Sequence, residues 1–130
     1  KENALNIGLI SSNGQINGCT YLLLERLVES GCHLYYAGDF DPEGLVIADK
    51  LKQRYGKHLD LWLYESELYD QNKMECKISY RRMAMLDGVK DKKLINIAEK
   101  IKENNALAYQ EGLICNYARA LFDKYKIPKK

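Results

Sequence analysis

The stretch Tyr35–Ile47, YYAGDFDPEGLVI, constrains the fold more than any other part of the chain. Pro42 has no backbone N–H and a fixed φ, so it cannot continue a central strand, yet it suits the first turn of a helix. The apolar run before it, His33 to Gly38, reads as a strand, and Leu45, Ile47, Ala48 and Leu51 after it recur at helical spacing to about Tyr55. The chain therefore leaves a strand and enters a helix between Asp39 and Glu43. Asp41 suits the N-cap, Pro42 position N1, and Glu43 the positive end of the helix dipole. Asp39 falls outside this capping logic: a carboxylate at a strand end, next to another, needs a cation or heavy solvation.

The same alternation recurs on either side. Leu5 to Ser11 (LNIGLIS) reads as a strand closed by the turn-forming SSNGQING. A helix is expected from about Asn17 to Ser30, with Leu23, Leu24, Leu27 and Val28 on one stripe, Asn17 as N-cap and Gly31 as the left-handed residue past the end. Leu59 to Tyr64 is apolar on both faces, as a central parallel strand would be. Strand, helix, strand, helix, strand implies an α/β fold, a parallel sheet with right-handed crossovers and helices on its faces. Beyond it, Ser66 to Asn72 suits a short capped helix, Met74 to Gly88 shows no clear period, and helices are expected over about 91–104 and 106–126.

Size and charge bound what such a fold can serve. At 130 residues and 46% hydrophobic, the chain fits one domain with its own core. The net charge of +2 is no blanket nucleic-acid footprint, so any DNA affinity is local or supplied by a partner. Cys19, Cys32, Cys76 and Cys115 form no CxxC pair, which argues against zinc and disulfides and for a reducing cytoplasm. No apolar run approaches the roughly 18 residues of a membrane span, and no membrane association is expected. The absence of an initiator methionine at Lys1 suggests a fragment, the C-terminal part of something longer.

In an open parallel sheet, ligands bind outside the carboxyl ends of the strands. Two loops fall there and are expected to be neighbours: Ser11–Gly14 after the first strand and Asp39–Asp41 after the second. Paired carboxylates at such a place suit Mg²⁺, which usually binds through one or two carboxylates plus substrate phosphates. The duller readings stand beside this. Asp41 can be an N-cap and nothing more, and Ser12, Asn13 and Gly14 can be an ordinary turn instead of an anion nest. Glu111 falls within an apolar stripe of Leu107, Ile114, Ala118, Leu121 and Tyr125, so it is either paired in the core with Arg81, Arg82 or a lysine, or turned toward a metal as ligand or proton-transfer group. The basic Arg81-Arg82, Lys90 with Lys92-Lys93, and the terminal KYKIPKK can touch phosphates or be solvated surface.

GDFDPEGLVIA, preceded by a strand ending in SSNGQ and followed by LWLYESELYD, resembles a Toprim domain. The Asp-Pro-x-Gly element is similar to that of the type IIB topoisomerase A subunit, and the closer resemblance is to the Toprim-bearing nuclease subunit of Wadjet-type bacterial plasmid-defence systems. AYQEGL (Ala108 to Leu113) matches the acidic pair of that family's late helix with Glu111, but has Gln110 in place of the first acid. The resemblance implies a Rossmann-like Toprim sheet and Mg²⁺ or Mn²⁺ on Asp39 and Asp41. It also implies Ser12 to Gly14 lining the scissile phosphate, and cleavage of DNA with an SMC-like defence complex as partner and a homodimer as a possible form. The pattern's glutamate on an opening strand has no counterpart here, since Glu2 does not fit that place. A catalytically degenerate Toprim-like module that binds DNA or a partner protein is the alternative. A phosphotransferase using Asp39 as nucleophile is less favoured, because such enzymes carry their Asp-x-Asp on the first strand.

Overall fold

The computed structural model describes residues 7–12 and 14–125. It is a mixed α/β structure, mostly helical, with one small two-stranded parallel sheet and one two-stranded antiparallel sheet.

Helix α1 spans Gly18–Glu29, and the Asn17 side chain caps it by accepting from the Thr20 amide at 2.9 Å. It stops at Ser30 and Gly31, where φ is +85°, a value that only glycine adopts without strain. Strand β1, Leu34–Tyr36, pairs in parallel with β2, Leu59–Leu61, Leu34 opposite Leu59 and Tyr36 opposite Leu61. Helix α2, Pro42–Tyr55, makes the crossover that a parallel pair requires. Asp41 caps it and Pro42 opens it, as the sequence predicts, and Leu45, Ala48, Leu51 and Tyr55 bury its inner face. Each such buried leucine contributes about 1.5–3 kcal/mol of transfer free energy.

Helix α3, Ser66–Asn72, leads into β3, Met74–Glu75, and then α4, Tyr80–Met85. Helix α5, Lys92–Asn104, is capped by Asp91, and its Leu94, Ile97 and Ile101 reach the core with no exposed surface. Just before it, the buried carboxylate of Asp49 accepts from the Lys90 and Asp91 amides at 3.0 and 2.8 Å, tying the α5 entry to α2. Tyr69 is fully buried and donates to the Ala106 carbonyl at 3.0 Å, fastening α3 under the end of α5.

Three expectations are corrected. Residues 5 and 6 of the expected first strand lie outside the described residues, and 7–11 form no strand and face solvent, Leu9 being 95% exposed. A strand needs partners for its backbone groups, and no described edge supplies them to this segment. The strand expected over Leu59 to Tyr64 ends at Leu61, because Leu63 takes a left-handed φ of +58° that breaks the ladder. The helix expected over 106–126 begins only at Ile114: Asn105, left-handed at φ +47°, turns the chain so that β4, Ala106–Leu107, pairs antiparallel with β3. A 3₁₀ turn over Gln110–Leu113 then leads into α6, Ile114–Tyr125.

Candidate metal centre

Strand β1 runs out through Gly38 into Asp39, Phe40 and Asp41. Phe40 pairs with Ala108 through two hydrogen bonds, Phe40 N to Ala108 O at 2.8 Å and the return bond at 3.2 Å. Its ring is 1% exposed and lies in the core. Side chains of extended backbone alternate between faces, so burying Phe40 sends Asp39 and Asp41 together to the other side. The one-residue spacing of the two acids is thus what puts both on one face. Asp39 accepts from the Gln110 amide at 2.7 Å through Oδ1, and its Oδ2 has no hydrogen bond among the described residues. Asp41 accepts from the Gly44 amide at 2.6 Å through Oδ1 and from Arg82 Nη2 at 3.1 Å through Oδ2. The same guanidinium grips Glu43, with Nε 2.8 and 3.0 Å from its two oxygens. Gly44 cannot carry a side chain here, because a Cβ would lie 2.3 Å from the Asp39 carbonyl oxygen.

Three carboxylates against one guanidinium leave the cluster two negative charges in excess. The Asp41 carboxyl accordingly sits above the ordinary aspartate value. Burial is the main cause, the Gly44 amide works against it, and the Glu43 and Asp39 charges add to it more than Arg82 relieves. Glu43 goes the other way, held below its ordinary range by the hydrogen bonds from Arg82. Behind Asp39, burial first and then the Asp39 and Asp41 charges push the Tyr36 phenol up to about 12.

A family model described as "Protein of unknown function C-terminus (DUF2399)" matches residues 3–121. The chain belongs to the DUF2399 family. No curated protein and no solved structure matches it.

The donors at this end of the DUF2399 domain are hard oxygens, the type Mg²⁺ and Mn²⁺ take. The free Asp39 oxygen and the uncompensated charge also fit a divalent cation on Asp39 and Asp41. Among the described residues no group of three or more His, Cys, Asp or Glu side chains is arranged to hold a metal, so a divalent ion here would have only the two aspartates from the protein and would need water or phosphate oxygens for its remaining positions. A concavity of about 650 Å³ between α2 and the approach to α5, lined by Tyr21, Asp49, Lys50 and Lys90 among others, shares no residue with this cluster.

The other sequence-predicted residues of the DUF2399 domain are placed differently. Ser12 makes a local contact, Oγ to Gly14 O at 3.5 Å, and no hydrogen bond joins it to Asp39 or Asp41 among the described residues. Asn13 lies outside those residues. The loop seated against Asp39 is Ala108–Gln110, from the far end of the chain. Glu111 is exposed on the 3₁₀ turn and has no ion pair among the described residues, so of its two expected roles the core pairing with Arg81, Arg82 or a lysine is corrected. Arg82 spends its charge on Asp41 and Glu43 instead. Sequence reasoning passed over Arg82 and Glu43 as a pair, since 39 residues separate them and the Arg81-Arg82 run looks like any basic surface. The Gln110 backbone amide carries no sequence signal at all.

Proposed function

We propose that this domain is the Toprim-like catalytic part of a DNA nuclease, with Asp39 and Asp41 holding Mg²⁺ or Mn²⁺ against a phosphodiester. The observation that carries the reading is the pairing of both acids on one face, at the carboxyl end of a parallel strand, with Asp39 Oδ2 free and negative charge in excess. That is where open α/β sheets bind ligands. Membership of a family described as a protein's C-terminus agrees with a catalytic domain carried by a longer chain.

In this reading the Gln110 amide fixes Asp39 and leaves its second oxygen without a hydrogen bond among the described residues. The α2 N-terminus holds Asp41 by the Gly44 amide, so neither acid has to be ordered when substrate arrives. A bound divalent ion supplies charge neutralisation at the phosphoryl oxygens and lowers the pKa of an attacking water. Glu111, exposed next to Gln110, is the further acid available for proton transfer, and Ser12 to Gly14 remain the turn proposed to meet the phosphate. The Rossmann-like Toprim sheet, a cytoplasmic setting, and assembly as a homodimer or with an SMC-like plasmid-defence complex belong to the same proposal. They rest on the resemblance of GDFDPEGLVIA and its flanks. No described helix is long and apolar enough to cross a membrane.

A degenerate module that binds DNA or a partner without cutting has one observation in its favour: a guanidinium already occupies Asp41 Oδ2. Nicking of supercoiled plasmid by the full-length protein with Mn²⁺ separates the two. The nuclease reading expects nicking that Asp39→Asn and Asp41→Asn each abolish. Cleavage unchanged by Asp39→Asn would sink it.

A further inference from the structure

Both carboxylate oxygens of Asp41 already have partners, the Gly44 amide on Oδ1 at 2.6 Å and Arg82 Nη2 on Oδ2 at 3.1 Å. A cation shared by Asp39 and Asp41 therefore meets a guanidinium at one of its two protein ligands. A carboxylate oxygen has two lone pairs and can accept from both. Two positive groups on one oxygen nevertheless repel, and burial of the Asp41 side chain, 16% exposed, leaves that repulsion less screened than in open water.

Arg82 does not depend on Asp41 for its place. Glu43 grips it through both carboxylate oxygens, with Nε 2.8 and 3.0 Å from them and Nη2 2.5 Å from Oε2. Nη1 makes no hydrogen bond among the described residues. Releasing Asp41 costs Arg82 a single hydrogen bond and leaves it anchored, with N–H donors to spare on a planar fork that suits phosphate. We propose, on the metal-site reading above, that Arg82 exchanges Asp41 for a phosphate oxygen of the nucleic-acid backbone when the acid pair takes a divalent cation. Arg82 is then the phosphate-binding residue of the site, and Glu43 the positioning residue that keeps it within reach.

Calorimetric titration of the full chain with Mn²⁺ tests the release of Asp41. It compares the unaltered protein with Arg82→Gln, Arg82→Lys and Asp39→Asn once thermal melts in EDTA show each to be folded, and Arg82→Met serves as a second charge-free variant. Arg82→Gln should bind Mn²⁺ more tightly, on the order of 10-fold, because a positive charge has been lifted from the acid pair. Arg82→Lys, which keeps the charge, should bind as the unaltered protein does, and Asp39→Asn should lose binding. A guanidinium that merely braces the site would give the opposite sign, weaker binding in Arg82→Gln. The anisotropy of a short fluorescent DNA duplex tests the capture of phosphate. With Ca²⁺ present, Arg82→Gln should weaken duplex binding about 10-fold, the scale of one hydrogen bond to a charged group, and in EDTA, where Arg82 is spent on Asp41, much less. Weaker or unchanged Mn²⁺ binding by the folded charge-free variants overturns the exchange and leaves the metal site standing. So does an equal loss of duplex affinity with and without Ca²⁺, since Arg82 then supplies only general charge. Absence of Mn²⁺ binding from both the unaltered protein and Arg82→Gln overturns the exchange and the metal site together.

Discussion

Asp41 serves two masters at the residue scale. As N-cap of α2 it should stay charged or at least accept, while burial and the neighbouring Glu43 and Asp39 favour its protonated form. A carboxyl whose folded pKa is raised stabilises the fold fully below its unfolded value, here 3.8, and loses that contribution as pH rises through the folded value. Asparagine caps as well as aspartate and carries no charge. Asp41→Asn should thus stabilise the metal-free protein at neutral pH, and the gain should shrink toward zero below about pH 4, where Asp41 itself is protonated. Urea unfolding in EDTA across that range measures it, and a gain that grows on acidification would contradict the assignment. The capping half of this residue was legible in Asp41-Pro42-Glu43 because capping is local. The electrostatic half was not, because burial, its main cause, depends on how the rest of the chain packs around the residue.

Among the elements, α2 and α5 followed their sequences closely. Each has a cap residue at its start, Asp41 or Asp91, and an apolar stripe of one period that tertiary packing reinforces. The C-terminal segment did not. Leu107 and Ile114 are seven residues apart and fit one helical face, yet the intervening chain is strand, bridge and 3₁₀ turn. Periodicity alone cannot separate these when a left-handed Asn105 and a partner strand from residues 74–75 decide the outcome. The join between α2 and α5 offers a direct test. Asp49→Ala removes the acceptor of two part-buried amides and should cost about 2–4 kcal/mol, whereas Asp49→Asn, which retains an acceptor, should cost clearly less. Equal losses in denaturant melts would mean that the carboxylate matters for something other than the Lys90 and Asp91 amides.

Over the whole molecule, burial is uneven. The side chains of β2, α2, α5 and the Phe40 turn form one core, while α1 and α6 bury no residue fully and leave Leu22, Leu23, Ile114 and Phe122 exposed. Helices held by so little apolar contact open at lower free energy than the core. Hydrogen exchange should therefore release α1 amides well before those of α2 and α5, and uniform protection across the three would contradict this partition. The sequence showed α1's stripe of leucines but not that the stripe would lack a full partner, since that depends on what the rest of the chain brings to it.

The acid pair and the amide that steadies it stand 71 residues apart, joined by the Phe40–Ala108 bridge. During translation the carboxylates emerge from the ribosome long before Gln110 does, so a nascent or prematurely terminated chain displays them without their clamp. The Asp39 carboxylate is therefore steadied only once the late segment has been synthesised and docked.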